Sequence, residues 1–287
     1  MAEGCVRYNL YSYSARPIIQ NHKYPQFDYN SLDSDQQSDY WPNSRKPFRD
    51  IYRMGRTFVT DFAYIYSSPA RFNTGSALWL GGILATGGVI YAFDQEILDA
   101  FQRNRDHKLY KPIRQLGEKF ERLGFMGYTN RFYVGFMALG YLTKIEPMVT
   151  IPAEILGAHL VEGAGKNIMG ITVGRARPYE NLGPRHFEYN KGSSFPSGHS
   201  IVVMQVASVV SRRVDFLPVK IGMYTIATAV CFERITSNEH WPSDVYFGAV
   251  YGWIISSELL KLHDRRKFKV TPTAMSGGGG LRLSFSF

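Results

Sequence analysis

The sequence predicts a bundle of α-helices, and three observations carry that prediction. Four apolar runs, Phe132–Thr143, Ser200–Ser211, Ile221–Phe232 and Val245–Ser257, are each 12 or 13 residues long between charges or histidines, a length that suits packed helices better than strands. A further stretch, Phe72–Phe93, holds 22 uncharged residues between Arg71 and Asp94. Strict apolar–polar alternation occurs only at the C-terminal end, where Leu281, Leu283, Phe285 and Phe287 would share one face of a strand.

The 287 residues suffice for one large domain or two small ones. With 45% hydrophobic and 20% charged residues, the chain is neither disordered nor collagen-like. Its two cysteines, Cys5 and Cys231, are too few for a disulfide scaffold or a four-ligand zinc site. A mean hydropathy of −0.20 argues against a polytopic membrane protein. The net charge of +9 fits an anionic substrate or an anionic membrane surface, with nothing that points to nucleic acid. The 15% aromatic content reads as core and interface filler.

Along the chain, residues 1–50 read as irregular, with scattered Tyr, Asn, Asp, Gln and Pro and no apolar period. No signal peptide is visible in them. A helical domain is expected over 51–265, with its motif core at about 166–257, and a flexible tail or isolated edge strand over 266–287. Phe72–Phe93 is long enough to span a bilayer, for which about 20 residues are needed, and its five glycines suit a membrane helix. A buried core helix fits it equally. Three Lys or Arg precede it within 20 residues and four follow, so flanking charge does not orient it. The shorter runs would cover roughly 20 Å against a hydrocarbon core of about 30 Å, and read as packed helices. Thr150–Gly174 carries Glu154, His159, Glu162 and Lys166 at near-helical spacing, which fits a solvated face or an inward polar pocket.

The unusual chemistry lies in three segments. In Gly174-Arg175-Ala176-Arg177-Pro178, proline disfavours helix at Arg177 and leaves two guanidinium groups at a helix end. Ser193-Ser194-Phe195-Pro196-Ser197-Gly198-His199 runs into an apolar helix. Such a helix mouth offers unpaired N–H groups to a phosphate, with Ser197 as cap or donor and Gly198 allowing close approach. His199 then sits beside the anion. In the third segment, Arg234 precedes His240-Trp241-Pro242-Ser243-Asp244. Pro242 suits the first helical position, which puts Asp244 within reach of the His240 ring. A carboxylate there would fix the tautomer and make the histidine a nucleophile. Arg177 and Arg234 supply planar forks for phosphate oxygens. The set suits phosphoryl transfer through a phosphohistidine, and it lacks the carboxylate cluster that would hold two metals.

These residues resemble the three signature motifs of the type 2 phosphatidic acid phosphatase and vanadium haloperoxidase superfamily: Lys, six residues, Arg-Pro; Pro-Ser-Gly-His; and Ser-Arg, five residues, His, three residues, Asp. Arg177-Pro178, Pro196-Ser197-Gly198-His199, Arg234, His240 and Asp244 match with the internal spacings intact. Pro-Ser-Gly-His alone would arise by chance in roughly one such chain in a thousand. The resemblance implies an all-α fold. It also implies His240 as nucleophile, Asp244 as its orienting partner and His199 as general acid, with Arg177, Arg234, Ser197 and Gly198 on the phosphate. Two positions depart from the pattern. Gly170 stands where the family has lysine, and Lys166, one turn back on the same face, is the candidate replacement. Glu233 stands where the family has serine and is expected to point away or to pair with an arginine.

The expected function is a metal-independent phosphatase, without cofactor, acting on a phosphomonoester or pyrophosphate of a small molecule or lipid. The expected location is the cell envelope, membrane-associated through 72–93 or periplasmic. A vanadate-dependent haloperoxidase and a non-catalytic phosphate- or lipid-binding envelope protein are the alternatives.

Overall fold

α9 forms the axis of the bundle because both ends of its sequence are anchored and its middle is small and apolar. In the computed structural model, which describes residues 47–191, 194–266, 268–275 and 278–285, this helix spans Pro242–Arg266. Gly248 and Gly252 let α7 (Gly198–Arg213) lie directly against it. A β-carbon on Gly252 would come 2.3 Å from the Ile201 carbonyl oxygen, and one on Gly248 would come 2.6 Å from that of Ser197. No side chain fits at either place, so this pair of glycines sets how closely the two helix starts approach.

The remaining helices wrap this pair. They are α1 (Pro47–Tyr66), α2 (Thr74–Ala92), α3 (Asp94–Asn104), α4 (Tyr110–Phe120), α5 (Met126–Thr143), α6 (Pro147–Val173) and α8 (Leu217–Thr236). Three apolar clusters bind them, two of which link α6 to α9. Ile155, Val202, Val206, Val209 and Leu260 join α6, α7 and α9, and Ile65, Ala158, Val161, Ile255 and Leu259 add α1. A third cluster, including Leu98, Val203, Val230, Trp241 and Val245, brings in α3 and α8. The all-helical expectation for the domain therefore holds. The helices run past their apolar runs; α8 is 20 residues long around a 12-residue run.

The stripe on α6 faces inward: His159 and Glu162 are buried, while Glu154 pairs with Arg213 at 2.6 Å. α2 behaves differently. Leu78 and Trp79 are 73% and 77% exposed, and Gly87, pressed against Phe247, is the helix's one buried residue. The core-helix reading of Phe72–Phe93 is thereby set aside. Among the described residues, α2 is the one helix long and apolar enough to cross a membrane. After α9, β1 (Phe268–Met275) and β2 (Gly278–Phe285) pair as an antiparallel hairpin with Val270 opposite Leu283. The alternating C-terminal segment thus finds its partner strand within the same tail. Residues 1–46 of the irregular segment lie outside the described residues.

Candidate active site

The three motif segments meet where α6 ends and α7 and α9 begin. α6 stops at Gly174, whose φ of +58° is left-handed and whose β-carbon would come 2.0 Å from the Glu188 carbonyl oxygen. Only glycine fits a close crossing in that conformation. The chain beyond it is tied down by backbone hydrogen bonds: Ser194 N–H to Arg175 O at 3.1 Å, and Ser197 N–H to Asp244 O at 3.1 Å. Trp241 Nε1 adds a bond to Ala176 O at 2.8 Å.

His240 is buried, and its Nδ1 lies 2.8 Å from the Ser194 carbonyl oxygen. A carbonyl can only accept, so Nδ1 carries the proton and Nε2 keeps its lone pair. Burial holds this imidazole well below its usual range, helped by the charge of Arg177 and the neighbouring His199. It is therefore neutral and nucleophilic at Nε2. Here the structure corrects the expected Asp244–His240 contact. Asp244 Oδ2 instead accepts from Ser194 Oγ and from Trp241 N–H, the latter at 3.2 Å, and Oδ1 accepts from Arg175 Nη1 at 2.6 Å. The aspartate folds back to cap its own helix start, leaving the orienting bond to the segment it grips. Burial pushes its carboxyl up to about 6, against the pull of Arg175 and Ser194.

Arg175, to which the sequence assigned no role, is buried between two carboxylates, with Nη2 at 2.6 Å from Asp94 Oδ2. Nε and Nη2 also bond Pro184 O, and Nη1 donates to Ser243 Oγ at 2.8 Å. Tyr91 and Trp241 flank the guanidinium at 5.1 and 5.4 Å. Asp94 completes the frame by accepting from Ser243 N–H at 2.8 Å and Ser243 Oγ at 2.6 Å. A buried pair of this kind stabilises only when its hydrogen bonds are filled, as they are here. Arg175 thus fastens α3 and α9 together, and Arg177 remains as the guanidinium of that segment facing the site.

Arg177 Nη1 bonds Glu239 Oε2 at 2.5 Å, while its buried Nε has no partner. Arg234, at the end of α8, bonds Glu233 Oε2 through Nε and Nη2, both at 2.5 Å, and Nη2 reaches Glu121 Oε2 at 3.1 Å. Glu233 therefore pairs with an arginine, one of the two outcomes expected of it. The charges of Arg177 and Arg234 bear on both histidines. Burial and these two charges hold His199 down to about 4. Gly124 backs its ring, since a β-carbon there would come 2.6 Å from His199 Cδ2.

Lys166 reaches the same mouth. Its Cε lies 3.6 Å from where a β-carbon on Gly198 would sit, and burial and Arg177 lower its ammonium below the usual range. Ser197 caps α7 by accepting from Ser200 N–H at 3.5 Å and Ser200 Oγ at 3.0 Å, which leaves its own hydroxyl hydrogen unused. The structure thus places all eight sequence-predicted site residues around one end of the bundle. Sequence reasoning missed Asp94, Ser194, Ser243, Glu121, Glu239 and Gly124. Ser194 and Glu239 adjoin the motifs, whereas Asp94 lies 81 residues from Arg175 and gives no local signal. Among the described residues, no three His, Cys, Asp or Glu side chains gather in a metal-holding group.

A model of the PAP2 superfamily matches residues 152–268. Two solved structures are similar. LpxE of Aquifex aeolicus is 22% identical, with 58% of this chain and 93% of that chain covered and a TM-score of 0.42. The first transmembrane PAP2-type phosphatidylglycerolphosphate phosphatase from Bacillus subtilis is 18% identical, with 75% and 96% covered and a TM-score of 0.44. No curated protein matches the chain significantly. The match to the PAP2 superfamily model spans every motif residue gathered at this mouth, from Lys166 to Asp244, so this part of the chain is similar to that superfamily.

Proposed function

We propose that this chain hydrolyses a phosphomonoester or pyrophosphate through a phosphohistidine on His240 without calling on a metal. The observation that carries the reading is the His240 Nδ1 bond to the Ser194 carbonyl, which leaves Nε2 unprotonated in a buried position between Arg177 and Arg234. Nε2 forms a bond to phosphorus as the bond from phosphorus to the leaving oxygen breaks. His199 gives its proton to that oxygen. Bound phosphate supplies the negative charge that offsets Arg177 and Arg234, so His199 takes up its proton when substrate is present. Water, deprotonated by His199, then attacks phosphorus, releases phosphate and restores His240. Arg177, Arg234, Lys166, Ser197 and the N–H groups at Gly198 hold the phosphoryl oxygens.

The exposed apolar face of α2 supports membrane association, with a lipid phosphate as the natural substrate of a membrane-seated site. Purified protein is given p-nitrophenyl phosphate, phosphatidate and a polyprenyl pyrophosphate, with and without EDTA. Hydrolysis of at least one that survives chelator and is lost in His240→Ala is expected, together with acid-labile, base-stable phosphate on His240. Wild type as inert as His240→Ala on all three would overturn the reading. Halide oxidation with added vanadate would replace it with the haloperoxidase. Carbonate extraction of membranes tests α2, and full release of the protein excludes a spanning anchor.

A further inference from the structure

The guanidinium groups assigned to the phosphate already hold carboxylates. Glu233 takes the Nε and Nη2 edge of Arg234, Glu121 shares Nη2, and Glu239 takes Nη1 of Arg177. That edge is the one a guanidinium uses for bidentate recognition of phosphate. Glu233 and Arg234 are both almost fully buried, at 4% and 7% side-chain exposure, so water screens their attraction little. Of the three cations at the mouth, Lys166, Arg177 and Arg234, the two arginines are thus faced by three carboxylates. At Glu233 this is a departure of this chain, which carries an acid where its superfamily motif carries serine.

We propose that Glu233, Glu121 and Glu239 set the substrate charge this site accepts, selecting a phosphomonoester over a diphosphate. The inference rests on the phosphatase reading and narrows its substrate class. An entering phosphoryl group must displace or share these carboxylates, and each further negative charge on the substrate meets a mouth whose cations are already balanced. A monoester brings one phosphate into that field. A diphosphate brings a second charged phosphate against Glu239 and Glu121, the two carboxylates on the open side, at 35% and 42% exposure. Burial raises the Glu233 carboxyl while Arg234 draws it back down, as expected of a carboxylate held in place by one partner.

The test compares decyl phosphate with decyl diphosphate, which share one alkyl chain and differ in phosphate number. Wild type should show the higher kcat/KM on the monoester. Glu233→Gln should lower KM about tenfold for the diphosphate and less for the monoester, so that the preference shrinks. Glu121→Gln and Glu239→Gln lie on the exposed side, are expected to fold normally, and should each act about threefold in the same direction. Inorganic phosphate titrated calorimetrically into His240→Ala, with and without Glu233→Gln, tests the clamp without turnover; tighter binding in the double variant is expected. Phosphate affinity that is unchanged or weakened by Glu233→Gln in the His240→Ala background would overturn the proposal and make the glutamates scaffolds for the arginines. If wild type turns over neither ester, the phosphatase reading fails, while the phosphate titration still decides the clamp.

Discussion

His240 donates its Nδ1 hydrogen to the backbone carbonyl of Ser194, 2.8 Å away, rather than to the carboxylate of Asp244 four residues on. Asp244 reaches His240, the proposed nucleophile, through Ser194, from whose hydroxyl it accepts a hydrogen bond. Replacing Asp244 with Asn should therefore lower kcat about a hundredfold or more with little change in KM. Ser194→Ala, which keeps the carbonyl and loses the tie, should lower it about tenfold. The carboxylate form makes these bonds and is lost as pH falls through about 6. The acid limb of kcat/KM should lie near that value and disappear in Asp244→Asn. A wild-type profile flat from pH 5 to 7 would contradict this coupling.

Lys166 should carry the role of the lysine missing at Gly170. Lys166→Met is expected to raise KM ten- to a hundredfold, the range for losing one charge-assisted hydrogen bond. A β-carbon on Gly170 would meet only Phe195 O, at 3.6 Å, an ordinary contact. Gly170→Lys in the Lys166→Met background should recover most of the loss. Failure of that rescue, with melting temperature unchanged, would show that position 170 no longer faces the phosphate.

Gly124 sets the place of His199, the proposed general acid. Alanine there would force its β-carbon to within 2.6 Å of His199 Cδ2 unless the ring moves. A displacement of about 1 Å can cost about a hundredfold in rate. Gly124→Ala should therefore reduce kcat ten- to a hundredfold, more for an alkyl ester, whose leaving group needs the proton, than for p-nitrophenyl phosphate. Equal losses on both esters would place the defect elsewhere.

At the far end of α6 from the site, His263 Nε2 lies 2.7 Å from Asp61 Oδ2, and Nδ1 lies 3.9 Å from Glu154 Oε1. Burial lowers its pKa, but the two carboxylates overcome that and raise it to about 9. The charged form is favoured by the fold, so its contribution is complete below about 6.5, the unfolded value, and is lost as pH rises to about 9. Chemical denaturation should show stability falling by up to about 3 kcal/mol across that window, and His263→Gln should flatten the slope.

The two histidines, both arginines and Asp244 could be read from short-range order, since phosphate chemistry leaves its residues at fixed spacings beside helix starts. The tilt of those side chains could not. Arg175 and Arg177 are two residues apart and chemically alike, yet one is buried between Asp94 and Asp244 while the other faces the mouth. Nothing local separates them, because Asp94 enters from α3, a helix whose approach depends on packing. The inward stripe of α6 was ambiguous for the same reason. Periodicity gives a face, and only neighbouring helices decide whether that face meets water or protein.

By itself, then, the sequence determined a helical domain and the motif residues that its helix starts bring together, because helix caps, proline positions and motif spacing act within a few residues. Tertiary structure alone decided which atom orients His240, which arginine is structural and which carboxylates balance the rest. Those outcomes depend on burial and on partners brought from distant helices, whose energies no local pattern encodes.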